Sequence, residues 1–139
     1  MKVIEAMKRG VQTISSDSSC SEAAKKMQAF DVGILPVKEG DTIVGVLTDR
    51  DIVIRCIAED FDPRATSVRE AMTAEAICCF QDEDLWDAAR RLETNQIHRL
   101  LVLDEDNQLT GMLSLSDLAL RGDDEQMKSE VLERICEPA

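Results

Sequence analysis

The sequence predicts an α/β (α+β) fold: two β-α-β-β-α repeats packed with pseudo-twofold symmetry, followed by a short C-terminal helix. Three observations predict it. The chain repeats itself at a nearly constant offset, each copy alternates strand and helix patterning in the same order, and one copy alone is too short to cover both faces of its sheet. Met7 and Met72 lie 65 residues apart. At that offset Glu5-Ala6-Met7 falls on Glu70-Ala71-Met72, Ala23-Ala24-Lys25-Lys26 on Ala88-Ala89-Arg90-Arg91, and Val37 on Val102. Past the next turn the offset becomes 66, so Gly45-Val46-Leu47-Thr48 meets Gly111-Met112-Leu113-Ser114, and Asp51 meets Asp117. The copies are residues 1–60 and 66–122, joined by a polar connector containing Asp62-Pro63-Arg64, and residues 123–139 form a helical tail.

In the first copy, Gly10 to Ser15 is expected as a short strand. Ser19-Cys20-Ser21-Glu22 is a capping box, in which the serine hydroxyl and the glutamate side chain satisfy backbone donors reciprocally. It opens a helix through about Phe30, with Ala23, Ala24, Met27 and Phe30 at core-facing spacing. Ile34 to Val37 is the second strand. Glu39-Gly40-Asp41 turns it into the third, Ile43 to Leu47, and Thr48 to Ile57 is a second helix. The second copy follows suit, with a strand at Ala76 to Phe80, a helix from Asp84 to about Glu93 and a strand at Arg99 to Leu103. A turn at Asp104 to Asn107, a strand at Leu109 to Leu113 and a helix from Ser114 complete it. Ala6-Met7 and Ala71-Met72 are expected to anchor linkers to the core, and Trp86 to pack at an interface edge. In the tail, Met127, Val131, Leu132 and Ile135 make an apolar stripe on a helix from Asp123 to Cys136, which should dock on the module or on a second subunit. Packing the two copies sheet on sheet would put equivalent third-strand ends on either side of a shared cleft.

Composition removes several function classes. With 139 residues and 44% apolar, the chain can bury a core. A net charge of −12 without a Lys/Arg cluster argues against duplex nucleic acid and anionic membrane surfaces. Aromatics at 3%, with no Tyr, supply no stacking platform for single strands. A small phosphate ligand stays open, because salt screens distant charge. The N-terminus has no signal-peptide apolar region, and no run approaches the ~18–20 residues of a membrane span. Five cysteines, with no C-x-x-C spacing, are neither a disulfide framework nor a zinc knuckle, so a cytoplasmic location is expected. There is no P-loop and no G-x-G-x-x-G. His98 is the single histidine, so every histidine-paired nucleophile scheme would depend on it. The chain is expected not to be an enzyme.

The duplicated Gly-x-x-Thr/Ser-x-x-Asp segments, Gly45 to Asp51 and Gly111 to Asp117, carry the chemistry. Read plainly, Thr48 and Ser114 are N-caps, with Asp51 and Asp117 favoured at the positive helix end. The same groups suit a ligand: a carboxylate accepts from both ribose hydroxyls, and a hydroxyl beside free backbone N–H groups suits phosphate. Arg50 could add bidentate recognition. The two readings are compatible.

A β-α-β-β-α unit repeated once, with this motif ending its third strand, resembles the CBS (cystathionine-β-synthase) domain, and two in tandem resemble a Bateman module. The Glu-Ala-Met triplets and the strand His98-Arg99-Leu100-Leu101-Val102 also fit, so the resemblance covers about residues 1–122. The run Leu47 to Ile54 and the tail Ile135-Cys136-Glu137-Pro138 resemble stand-alone two-CBS proteins, including those called hypoxic response proteins. The resemblance implies a non-enzymatic regulatory sensor that binds AMP, ADP or ATP, less often S-adenosylmethionine or NAD, in the inter-repeat cleft and signals to a partner protein. The alternatives are a ligand-free structural or interaction module of a stress-response protein, and a zinc-binding stress protein. For zinc, Cys78 and Cys79 point to opposite strand faces, so only one could join His98. No metal ligand is assigned. The family pattern implies Asp51 and Asp117 for ribose, and Thr48, Ser114, Arg50, His98 and Arg99 for phosphate. It implies Thr13, Cys78, Leu35, Pro36 and Leu100 for the adenine pocket, with Leu101 standing where the first copy has Pro36. It also implies a homodimer through paired helices, with Met27, Phe30 and Leu92 on their apolar faces, and no obligatory cofactor.

Overall fold

The structure is a computed structural model that describes residues 1–137; the Pro138 of the tail motif and Ala139 lie outside the described residues. The chain forms two compact units, each built on one four-stranded sheet. The first unit holds Met1–Val11 and the chain from Ile77 onward, and the second holds Gln12–Ala76. Each sequence copy therefore gives its leading arm to the other copy's unit. These arms, α1 (Val3–Ala6) with β1 (Lys8–Arg9) and α4 (Val68–Ala71) with β5 (Thr73–Ala74), are too short to show a hydrophobic period. Their anchors match the expectation: Ala6, Met7 and Ala71 are buried, and Met72 packs against the second unit's core.

In the second unit β2 (Ile14–Ser15) runs parallel to β3 (Ile34–Glu39), which pairs antiparallel with β4 (Thr42–Thr48), and β5 closes the order β2-β3-β4-β5. Helix α2 (Cys20–Phe30) starts as expected, with the Glu22 N–H donating to Ser19 Oγ at 3.0 Å. Its buried stripe is Cys20, Ala23 and Met27, narrower than the apolar stripe of the sequence. Ala24 points outward, and Phe30, the last residue of the helix, is 52% exposed. The helix expected from Thr48 to Ile57 also changes character. After α3 (Asp49–Ile52) comes one π turn, Val53–Ile57, closed by the Ala58 N–H donating to the Val53 carbonyl. That turn sets Cys56 into the core and leaves Val53, Ile54 and Ile57 exposed.

The first unit repeats this plan. Strand β6 (Cys78–Phe80) runs parallel to β7 (Arg99–Leu103), which pairs antiparallel with β8 (Leu109–Ser114), and β1 is the far edge. Helices α5 (Leu85–Asn95), α6 (Leu115–Arg121) and α7 (Glu125–Cys136) cover it, with Leu92, Leu100, Leu113 and Leu118 in the core. The tail helix α7 docks on its own unit: Val131 and Ile135 join this core, and Gln96 Nε2 donates to the Arg134 carbonyl at 3.0 Å. Trp86 sits half-buried against the core, its indole N–H donating to Asp123 Oδ1.

The two motif glycines position the arms. A Cβ on Gly111 would collide with the Lys8 carbonyl oxygen of β1, and one on Gly45 with that of Thr73 in β5.

None of the five cysteines is joined in a disulfide among the described residues. Burial pushes the Cys20 thiol from the ordinary 9.0 up to about 11 and that of Cys79 up to about 12. The folded state therefore holds these two protons more tightly than the unfolded chain does. The associated stability is fully present below pH 9 and is lost as pH rises toward 11–12. Urea midpoints should fall steadily above pH 9; a profile flat to pH 11 would contradict the burial of these thiols.

Candidate functional site

Both motif segments form strand-to-helix turns of one design. At the first, β3 and β4 align Ile34 with Thr48, and the Asp49 N–H donates to the Gly33 carbonyl at 2.9 Å. The Asp51 N–H donates to Thr48 Oγ1 and the Thr48 N–H to Asp51 Oδ2, both at 3.0 Å. At the second, Arg99 aligns with Ser114, and the Leu115 N–H donates to the His98 carbonyl at 2.9 Å. The Asp117 N–H donates to Ser114 Oγ at 3.1 Å and the Ser114 N–H to Asp117 Oδ2 at 2.9 Å. The plain reading of the motif is thus realised twice, as reciprocal capping boxes. Each carboxylate uses Oδ2 in the cap, so any further partner must be met through Oδ1. Asp117 is buried, and Asp51 is half-buried with the Arg55 guanidinium 4.0 Å from Oδ1. Asp51→Ala and Asp117→Ala should each cost about 1 kcal/mol in denaturant unfolding, the typical loss for a cap residue. A cost near zero would mean that the caps hold nothing.

The surroundings of the two turns differ. Beside the second lies a cavity of about 230 Å³ within the first unit. His98 and Arg99 from the head of β7, Ser114, Leu115, Ser116 and Ala119 from the turn and α6, and Leu132 from α7 line it. No carboxylate does. Both His98 and Arg99 are exposed, and among the described residues neither side chain has an ion-pair or hydrogen-bond partner. In a protein of net charge −12, this is a local concentration of donors without a carboxylate. At the first turn the matching positions are Gly33, Ile34, Asp49 and Arg50. A carboxylate stands where the second turn has Leu115, and its Oδ2 would lie 3.0 Å from a Cβ placed on Gly33. Arg50 is the exposed cation there.

The expected adenine-pocket residues are placed less simply. Thr13 and Cys78 are half-buried, and their carbonyls accept from matching helix cations, Lys26 Nζ and Arg91 Nη1. A salt bridge to Glu83 at 2.7 Å holds Arg91, and that hydrogen-bonded guanidinium keeps the Glu83 carboxyl below the usual carboxylate range. Leu35 and Leu100 are fully buried within the helix-covered cores. Strand alternation leaves Pro36 and Leu101 on the opposite faces, so the side chains of Leu35 and Leu100 are committed to packing. Met27 and Leu92, expected on dimer faces, also lie in the cores, and only Phe30 of those three is exposed. Four lining residues, Leu115, Ser116, Ala119 and Leu132, were not anticipated as part of the site. The tail stripe signalled that Leu132 would dock, but not where. Among the described residues, no group of His, Cys, Asp and Glu side chains is placed to hold a metal ion.

Comparison with known proteins places this geometry. The CBS domain family model matches residues 3–57 and again 68–122. The chain is 37% identical to the CBS domain-containing protein YhcV of Bacillus subtilis over 92% of this chain and 87% of that one. It is 28% identical to hypoxic response protein 1 of Mycobacterium tuberculosis over 96% and 93% of the respective chains. The structure of hypoxic response protein I with two coordinated zinc ions superposes with a TM-score of 0.77, covering 87% of this chain and 98% of that one. The structure of CBSX2 in complex with AMP superposes at 0.72 with 25% identity, covering 85% and 93%.

Proposed function

The chain belongs to the CBS domain family, and from that premise we propose that it is a non-enzymatic regulatory module that binds an adenine nucleotide and passes the signal to a partner protein. The carrying observation is the acid-free cavity beside the second motif turn, where an exposed imidazole, His98, and an exposed guanidinium, Arg99, stand next to Ser114 and Ser116. A phosphate group accepts hydrogen bonds only, so a pocket of unmatched donors suits it. The complex of CBSX2 with AMP, a relative of the same fold, supports AMP, ADP or ATP as the ligand class. In this reading Ser114, Arg99 and His98 bind phosphate in the first unit, and Asp117 Oδ1 meets the ribose. Thr48, Arg50 and Asp51 are the corresponding groups of the second unit. Cys78, with its backbone, and Leu101 border the adenine in the first unit, and Thr13 and Pro36 are the corresponding groups of the second. Among the described residues no helix is long and apolar enough to cross a membrane, and cysteines not joined in disulfides fit work in the reducing cytoplasm.

A homodimer is part of the same proposal. Phe30, Val53, Ile54, Ile57 and Phe61 of the second unit are all at least 50% exposed. That much apolar surface on one unit suits a subunit contact. Sedimentation at micromolar concentration should give twice the monomer mass; a monomer would contradict the dimer.

Nucleotide-dependent melting tests the ligand. At a hundred-fold excess over the dissociation constant, a ligand of the folded state stabilises by ~2.7 kcal/mol, a shift of several degrees for a chain of this size. AMP, ADP or ATP is expected to produce it. If millimolar AMP, ADP, ATP, NAD and S-adenosylmethionine all leave the melting temperature unmoved, the nucleotide reading fails. The module is then a ligand-free structural one, the reading that the two closed capping boxes favour.

A further inference from the structure

The second motif turn has a wall that the first copy cannot supply. Helix α7 lies outside the duplicated region, and its Leu132 lines the cavity that also holds His98, Arg99 and Ser116. Leu132 is held there. Its helix neighbours Val131 and Ile135 are 2% and 6% exposed in the core of the first unit. The Arg134–Glu93 ion pair and the hydrogen bond from Gln96 to the Arg134 carbonyl fasten the same turn of α7 to α5. The backbone that carries Leu132 is therefore fixed beside the cavity.

We propose that Leu132 sets the length of phosphate chain the first unit accepts, making it selective for a nucleoside monophosphate over a triphosphate. The proposal rests on the nucleotide reading above and adds the selectivity to it. Arg99 and His98 hold a first phosphate near Ser114. Each further phosphate brings charge that must be hydrated or matched by donors. Leu132 does neither, and an isobutyl group pressed on a phosphate strips water without replacing its hydrogen bonds. The cavity, at about 230 Å³, also falls below the ~300 Å³ at which pockets for drug-sized ligands begin. Its lining offers donors to one phosphate group and an apolar wall at Leu132.

The test is a calorimetric comparison of AMP and ATP, without magnesium, on the full chain in three forms: wild type, Leu132→Ala and Leu132→Lys. Wild type should bind AMP more tightly than ATP. Leu132→Ala should narrow that preference. Leu132→Lys, which keeps an aliphatic stem against α6 and adds a cation, should move the AMP-to-ATP affinity ratio by about tenfold or more toward ATP, the scale of one charge-assisted contact. Leu132 is half-exposed, and retained melting temperatures would show that the variants fold. Leu120→Ala, on an 80% exposed residue of α6, is the control and should leave the ratio unchanged. If wild type binds AMP but both Leu132 variants keep its ratio, the selectivity proposal is overturned while the nucleotide reading stands. If wild type binds neither nucleotide, both are overturned.

Discussion

Gly111→Ala should destabilise the first unit by about 1–3 kcal/mol, the usual cost of forcing extra atoms into a packed site, and Gly45→Ala should do the same to the second. A Cβ at Gly111 would overlap the Lys8 carbonyl oxygen and stand 3.0 Å from the Met7 sulfur. At Gly45 it would overlap the Thr73 carbonyl oxygen and stand 3.2 Å from the Met72 sulfur. A side chain can rotate away from such a clash, but a paired strand cannot. β1 is held to β8 through Lys8–Met112 and Arg9–Gly111, and β5 to β4 through Ala74–Gly45 and Thr73–Val46. The substitution must therefore push an arm off its sheet, with Ala6 and Met7, or Ala71 and Met72, losing their seats. The motif glycine thus serves arm docking, not ligand approach. Urea unfolding measures this directly. Wild-type stability with lost nucleotide binding would assign the glycine to the ligand instead.

The units and the site were legible to different depths. The 65-residue offset exposed the duplication, and capping signals located α2 and α5 because a Ser or Asp ahead of an apolar stripe satisfies backbone donors that nothing else can. Strands β3, β4, β7 and β8 followed from short apolar runs between turns. The exchange of arms was not legible. It depends on two-residue strands whose only sequence trace is the glycine that receives them, and a glycine has many other uses. The π turn at Val53–Ile57 was equally hidden, because Val-Ile-Arg-Cys-Ile suits an α-helix as well. In the site, the motif named the capping residues, and the resemblance added His98 and Arg99. Burial could not be read from the motif, so Leu35 and Leu100 were expected at a ligand although strand alternation turns them into the cores. Leu132 was legible as part of the tail stripe, but not as part of the site, because it comes from outside the repeat.

Arg99→Ala combined with His98→Ala should abolish the stabilisation by AMP while leaving the free protein's melting temperature nearly unchanged. Each hydrogen bond from a charged donor to phosphate contributes about 1.5–3 kcal/mol, so losing one weakens binding roughly tenfold or more. Basal stability should hold because both side chains are exposed and partnerless among the described residues. Affinity in the wild type should also fall as salt rises, since these contacts lie near the surface and are screened. The opposite pattern, a lower melting temperature with full AMP response, would make His98 and Arg99 structural.

Isothermal titration of AMP into the wild-type chain and into Arg99→Ala at fixed ionic strength tests the central claim most directly. The account predicts saturable binding to the wild type and an affinity about tenfold or more weaker in the variant, the loss expected for one charge-assisted phosphate contact. Equal affinity in the two proteins, or no binding heat to the wild type at millimolar AMP, would contradict it.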